Sequence, residues 1–90
     1  MNKKIHTESV DQLFDAIMSL KDRDECYRFF EDLCTVKELL SLSQRLEVAA
    51  MLRENNTYLE IGEKTGASTA TISRVNRSLS YGEDGYQLIF

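Results

Sequence analysis

The sequence predicts an all-α fold from three observations. Its 90 residues contain no proline, apolar residues recur three and four apart, and four points that read as helix starts carry a Ser, Thr or Asp three positions before a Glu or Gln. The last pattern is a capping box, in which a side-chain oxygen accepts from the free amides of a helix start while the later Glu or Gln reaches back to the cap backbone. The four pairs are Ser9 with Gln12, Asp22 with Glu25, Thr35 with Glu38, and Thr57 with Glu60.

Each cap opens an element. After Ser9, the residues Val10, Leu13, Phe14, Ile17 and Leu20 share one helical face, and after Asp22 the same spacing joins Tyr27, Phe30, Leu33 and Cys34. Thr35 opens a short third helix through Val36, Leu39 and Leu40. A fourth helix is expected from about residue 43 to 53, burying Leu46, Ala49, Ala50 and Leu52. Asn55-Asn56 closes it, because asparagine accepts left-handed backbone geometry. These apolar stripes read as core and dimer interface, not as a ligand pocket.

A 42% hydrophobic chain of this length supplies one core and not two, so residues 1–90 are expected to form a single domain with no separate catalytic part. Pairing with a second copy is a common way for so small a chain to bury more apolar area, and a homodimer is expected. No run approaches the roughly 20 apolar residues of a membrane span, and the start lacks a signal-type apolar run, which places the chain in the cytoplasm with no membrane partner. Cys26 and Cys34 lie in helical sequence about 12 Å apart, beyond the roughly 7 Å reach of a disulfide, so both are expected as reduced thiols inside or beside the core.

The chemistry of catalysis is missing. His6 is the single histidine, too few ligands accompany it for a zinc site, and no metal is expected. No nucleophile and base surround it, no glycine-rich loop could cradle a phosphate, and no paired acids must share a pocket. Asp22, Asp24, Glu25, Glu31 and Asp32 read as helix starts or solvated faces. The chain is therefore not expected to be an enzyme or to carry a cofactor.

Charge is unevenly spread. The net value of −4 disfavours a nucleic-acid partner, yet residues 1–63 hold eight Lys and Arg against thirteen Asp and Glu, whereas residues 64–82 hold Lys64, Arg74 and Arg77 with no acid. That basic stretch coincides with a helix-turn-helix pattern at about 58–79. Ile61 points into the core, and Gly62 is small enough for a second helix to cross closely. Gly66 stands where the chain leaves the first helix in a left-handed conformation. Ser68 or Thr69 caps the second helix, whose inward face is Ile72, Val75 and Leu79. Thr65 departs from the apolar residue many such motifs carry before the glycine, which predicts looser packing there.

The outward face is small, hydroxylic and basic. Small residues at its start let a helix sit deep in the major groove of double-stranded DNA, so Thr69, Ala70 and Thr71 are expected near bases. Lys64, Ser73, Arg74 and Arg77 are expected mainly on phosphates, with Tyr58 and Ser68 completing the DNA-binding set. The alternative is a protein-interaction module whose helix-turn-helix docks an acidic partner without specific DNA binding.

The run Thr65-Gly-Ala-Ser-Thr-Ala-Thr-Ile-Ser-Arg74, followed by Val75-Asn-Arg-Ser-Leu79 and preceded by Leu42-Ser-Gln-Arg-Leu46 and Ala49-Ala-Met-Leu-Arg53, resembles the Trp repressor superfamily, specifically its YerC/YecD-type branch. The likeness is specific over about residues 39–85. It implies an intertwined all-helical homodimer, with two recognition helices presented to half-sites about one DNA turn apart. It does not imply tryptophan as effector. In Trp repressor the arginine matching Arg74 is followed by glycine, which leaves room for the indole, and here Val75 stands there. A second pocket arginine aligns near Gln44, and the adjacent Arg45 is out of phase by about 100°. No tryptophan binding is expected, and any other effector is unidentified. The segment from Tyr81 to Phe90 resembles the branch through its Tyr-Gly and Gly-Tyr pairs, and its apolar end is expected to pack on the body or on a partner chain, a disordered tail being the alternative.

Overall fold

A computed structural model describes residues 2–90, and every regular element among them is helical. Five α-helices follow one another: α1 (Glu8–Met18), α2 (Arg23–Leu33), α3 (Val36–Arg53), α4 (Tyr58–Thr65) and α5 (Thr69–Tyr81), flanked by 3-10 turns at Lys3–Ile5 and Tyr86–Leu88. The chain divides into two compact units, one ending at Val36 and the other Lys37–Phe90.

In the first unit α1 starts earlier than its sequence suggests. Thr7, and not Ser9, is the cap: its extended backbone lets its hydroxyl accept from the Val10 amide at 3.2 Å while its carbonyl accepts from Asp11 at 3.0 Å. Ser9 lies inside the first turn, its hydroxyl 3.2 Å from that of Thr7. Asp22 caps α2 as expected, accepting from Glu25 at 2.9 Å, but the Glu25 carboxylate reaches one residue further back, to the Lys21 amide at 2.8 Å. Phe29 and Phe30 meet edge to face, with centroids 5.7 Å apart. None of the described residues in this unit is fully buried, and Phe14, Met18, Tyr27 and Leu33 are exposed. Cys26, expected inside or beside the core, faces solvent for the same reason, and Cys34 is half-buried; both are free thiols.

The second unit holds the core. The two helices expected over residues 36–53 are one helix of 18 residues. No glycine or proline interrupts Leu40-Ser-Leu-Ser43, and Ser43 turns its hydroxyl back to the Leu40 carbonyl at 2.9 Å, which keeps it inside the helix instead of capping a new one. The buried face of α3 keeps Ala49 and Leu52 as expected and departs from the expectation at Leu46 and Val48. Val48 and Ala49 are fully buried, with Met51 and Leu52 packed beside them, whereas Leu46 is 43% exposed and Ala50 half-buried. Leu46 sits about 200° around the helix from Val48 and shares a second, open stripe with Leu42. Asn55, at φ 64°, ends the helix, with its amide on the Leu52 carbonyl (3.0 Å) and the Asn56 amide on that of Met51 (3.1 Å). Those two bonds are the Schellman pattern that satisfies terminal carbonyls.

Ile61 of α4, Ala67 of the turn, and Ile72 and Val75 of α5 complete the buried cluster. Burying an aliphatic side chain of this size contributes about 1.5–3 kcal/mol, so Val48, Ile61, Ile72 and Val75 are the main source of the unit's stability. After α5 the chain turns at Gly82, where any Cβ would strike the Ser78 carbonyl. The following segment folds back: Tyr86 packs on the core, Phe90 stacks on Tyr86 with centroids 6.5 Å apart, and the Arg53 guanidinium lies 4.9 Å above the Phe90 ring.

The two glycines of the motif have different standing. Gly66 is left-handed at φ 73°, whereas a Cβ on Gly62 would meet the Ala67 carbonyl oxygen at an ordinary 3.6 Å, so close helix crossing does not require it. Gly66→Ala is expected to destabilise by about 1–2 kcal/mol through the left-handed backbone, and Gly62→Ala to be neutral or mildly stabilising through helix propensity. Urea midpoints of the two variants provide the check.

Candidate nucleic-acid interface

The site begins with a fixed helix start. The Thr57 hydroxyl accepts from the Glu60 amide at 3.2 Å and the Glu60 carboxylate accepts from the Thr57 amide at 2.9 Å, closing the capping box read in the sequence. The backbone N–H of Thr57, and then its hydroxyl, hold the Glu60 carboxyl below its ordinary pKa. From this start α4 runs eight residues to the turn.

The turn is locked by polar bonds. Gly66 donates to the Gly62 carbonyl at 2.9 Å. The Thr65 hydroxyl donates to the Ile61 carbonyl at 2.7 Å and accepts from the Ala67 amide at 3.1 Å. From α3, Gln44 Nε2 donates to the Thr65 carbonyl at 3.0 Å. Thr65 therefore tightens the turn it was expected to loosen, because a hydroxyl can bond both to the preceding helical turn and to the amide beyond the glycine. The sequence singles out Gln44 only as a position near a pocket arginine and does not reveal its bond to the turn, since its partner lies 21 residues away.

Ser68, not Thr69, caps α5, its hydroxyl accepting from the Thr71 amide at 3.1 Å and donating to the Thr71 hydroxyl at 3.1 Å. Ile72 and Val75 are buried and Leu79 half-buried, as the periodicity indicates. The opposite side brings Thr69, Ala70, Ser73, Arg74 and Arg77 together, all exposed. Thr71 is half-buried and its hydroxyl engaged by Ser68, so it belongs to the cap before it belongs to the surface. Tyr58, at the first position of α4, and Lys64, in its last turn, are exposed on the other helix. Lys64 lines a groove of about 440 Å³ with Met51, Glu54, Asn56, Glu60 and Glu63. Lys64 thus sits among carboxylates, whereas α5 carries Arg74 and Arg77 with no acid in its own sequence.

A capped helix, a left-handed glycine turn and a second helix with an apolar inner and a polar, basic outer face define a helix-turn-helix protein. The Trp repressor protein family matches residues 8–90, and the chain belongs to that family. It is 64% identical over 85 residues to YerC of Bacillus subtilis (strain 168), an uncharacterized protein, the match spanning 94% of this chain and 82% of that one. Its fold is that of a TrpR-like protein from Eubacterium eligens ATCC 27750, with a TM-score of 0.96 and 71% identity over 99% of this chain and 92% of that structure. A crystal structure of a candidate Trp repressor from Staphylococcus aureus superposes with a TM-score of 0.93 and 56% identity, covering 97% of this chain and 87% of the other. Among the described residues no helix is long and apolar enough to cross a membrane.

The Glu60 carboxyl gives the site an acid limit. With its folded pKa depressed, its contribution is fully present above the ordinary glutamate range and is lost as pH falls through the lowered folded value. Glu60→Gln keeps an accepting oxygen for Thr57 but does not titrate. Across pH 7 to 3 the urea midpoint of the wild type is expected to fall further than that of the variant; parallel curves would remove the assigned role of the carboxylate.

Proposed function

We propose that the protein is a sequence-specific DNA-binding transcriptional regulator that acts as a homodimer and does not respond to tryptophan. The observation that carries this reading is the outer face of α5, where Thr69, Ala70, Ser73, Arg74 and Arg77 are all exposed opposite buried Ile72 and Val75. A helix beginning with small side chains enters the major groove closely, so Thr69 and Ala70 lie near base edges, with Thr71 behind them. Ser73, Arg74 and Arg77 meet phosphates along the groove wall, as do the capping end at Ser68 and, from α4, Tyr58 and Lys64. Membership in the Trp repressor family supports the assignment.

What the single chain leaves uncovered supports the dimer. Among the described residues of the first unit no side chain is fully buried, and Met18 is 75% exposed, with Phe14, Tyr27 and Leu33 also open. Apolar surface on this scale is covered most economically by a second copy, intertwined so that both copies together complete one domain. Two α5 helices related by a two-fold axis then read two half-sites.

The packing of Val75 supports the absence of a tryptophan site. Val75 is 2% exposed, its side chain committed to the core where Trp repressor carries glycine. Calorimetric titration with L-tryptophan is expected to give no saturable micromolar heat, and a saturating isotherm would overturn this part of the proposal.

DNA binding is tested by selecting bound sequences from genomic fragments and measuring Kd against salt. Log K is expected to fall linearly with log salt, and Arg74→Ala and Arg77→Ala each to weaken binding and lower the slope by about 1. Unchanged affinity in both variants would discard the assigned face. A partner captured after nuclease treatment, with no DNA retained, would instead favour a protein-interaction module, the reading that the net charge of −4 supports.

A further inference from the structure

We infer that Gln44 is a positioning residue that sets the pose of the recognition helix α5 from outside the helix-turn-helix. The inference rests on the reading of α5 as the DNA-contacting element. An α-helix ends with four carbonyls that have no partner inside it. In α4, the Gly62 carbonyl takes the Gly66 amide, and the last carbonyl, that of Thr65, takes Gln44 Nε2 from α3. The same residue, Thr65, uses its hydroxyl to hold the Ile61 carbonyl behind it and the Ala67 amide ahead of it. A continuous relay thus runs from α3 through Thr65 to Ala67, one residue before the Ser68 cap of α5.

This relay does what the apolar core alone cannot. Contacts among Ile61, Ile72 and Val75 are non-directional and tolerate small rotations of one helix on another. A hydrogen bond at 3.0 Å is directional and weakens steeply when its angle changes. Gln44 therefore converts a packed turn into one with a defined exit direction, using a side chain that makes no contact with DNA in the proposed interface.

The predicted signature separates positioning from contact. Removing Gln44 lowers the fraction of molecules in the reading pose, and apparent Kd rises in inverse proportion to that fraction. The phosphates met in the bound state stay the same, so the salt slope does not change, in contrast with the arginine variants. The loss expected for one hydrogen bond is about three- to tenfold in Kd.

The test uses the full chain at pH 8 and low temperature, with Gln44→Met, which keeps the length of the side chain and removes its donor. Gln44→His, whose neutral ring can place an N–H at the same distance, is the rescue. Two readouts are followed: Kd for the selected DNA as a function of salt, and hydrogen exchange at the Gly66 and Ala67 amides in the free protein. Gln44→Met is expected to speed exchange at those amides and weaken binding three- to tenfold at constant slope, with both effects reversed in Gln44→His. Unchanged exchange and affinity, or a lowered thermal midpoint as the sole effect, would overturn the inference. Should Gln44→Met fail to fold, Thr65→Val breaks the relay at its next link, and the same two readouts decide. If the wild type binds no DNA, the regulator reading fails by itself, and the exchange measurement still decides whether Gln44 holds the turn.

Discussion

The burial of Ile61 against Ile72 and Val48 is the constraint on which the rest of the second unit depends. These three are its largest fully buried side chains, and they come from α4, α5 and α3 respectively. Only ten residues lie between Ile61 and Ile72, so the chain between them must end one helix, reverse and start another within a few residues. Gly66 at φ 73° makes the reversal without a Cβ penalty. Ala67, buried in the turn itself, joins the same cluster as the two isoleucines. Once that contact is made, helical periodicity alone assigns the other side of α5 to solvent.

Polar groups then refine what packing allows. The turn contains Thr65, half-buried, with its hydroxyl bonded on both sides and its carbonyl held by Gln44. No buried side-chain nitrogen or oxygen among the described residues lacks a partner, which is the condition under which polar atoms beside a core stabilise it. Val75 acts in both arguments. It closes the core under α5 and, in the proposed function, removes the space an indole would occupy.

The two units differ in what they achieve as single chains. The second carries its own buried cluster and a folded-back segment anchored by Tyr86, Phe90 and Arg53. The first has well-capped helices but buries no described residue fully. Caps and propensity fix helices locally, while stability requires an apolar face to be covered. In the proposed dimer this division has a use, because the element that reads DNA is preformed and the element that pairs is left adhesive.

By itself the sequence determined the helical class, the Asp22 and Thr57 caps, the Asn55 stop, the left-handed Gly66 and the inward phase of Ile72 and Val75. Each of these depends on residues within about four positions of one another, where spacing translates directly into geometry. The tertiary structure decided what depends on distant partners or on competition between neighbours. It chose Thr7 over Ser9 and Ser68 over Thr69 as caps, because the chain's extended entry decides which hydroxyl faces the free amides. It joined the third and fourth helices through the back-bonded Ser43, and it put Val48 in place of Leu46 beside Ala49 on the buried face of α3, since only the position of α4 and α5 selects among several apolar stripes. The helix-turn-helix was thus legible as a pattern, while the bond from Gln44 that fixes its turn was not, because no local rule connects residues 21 positions apart.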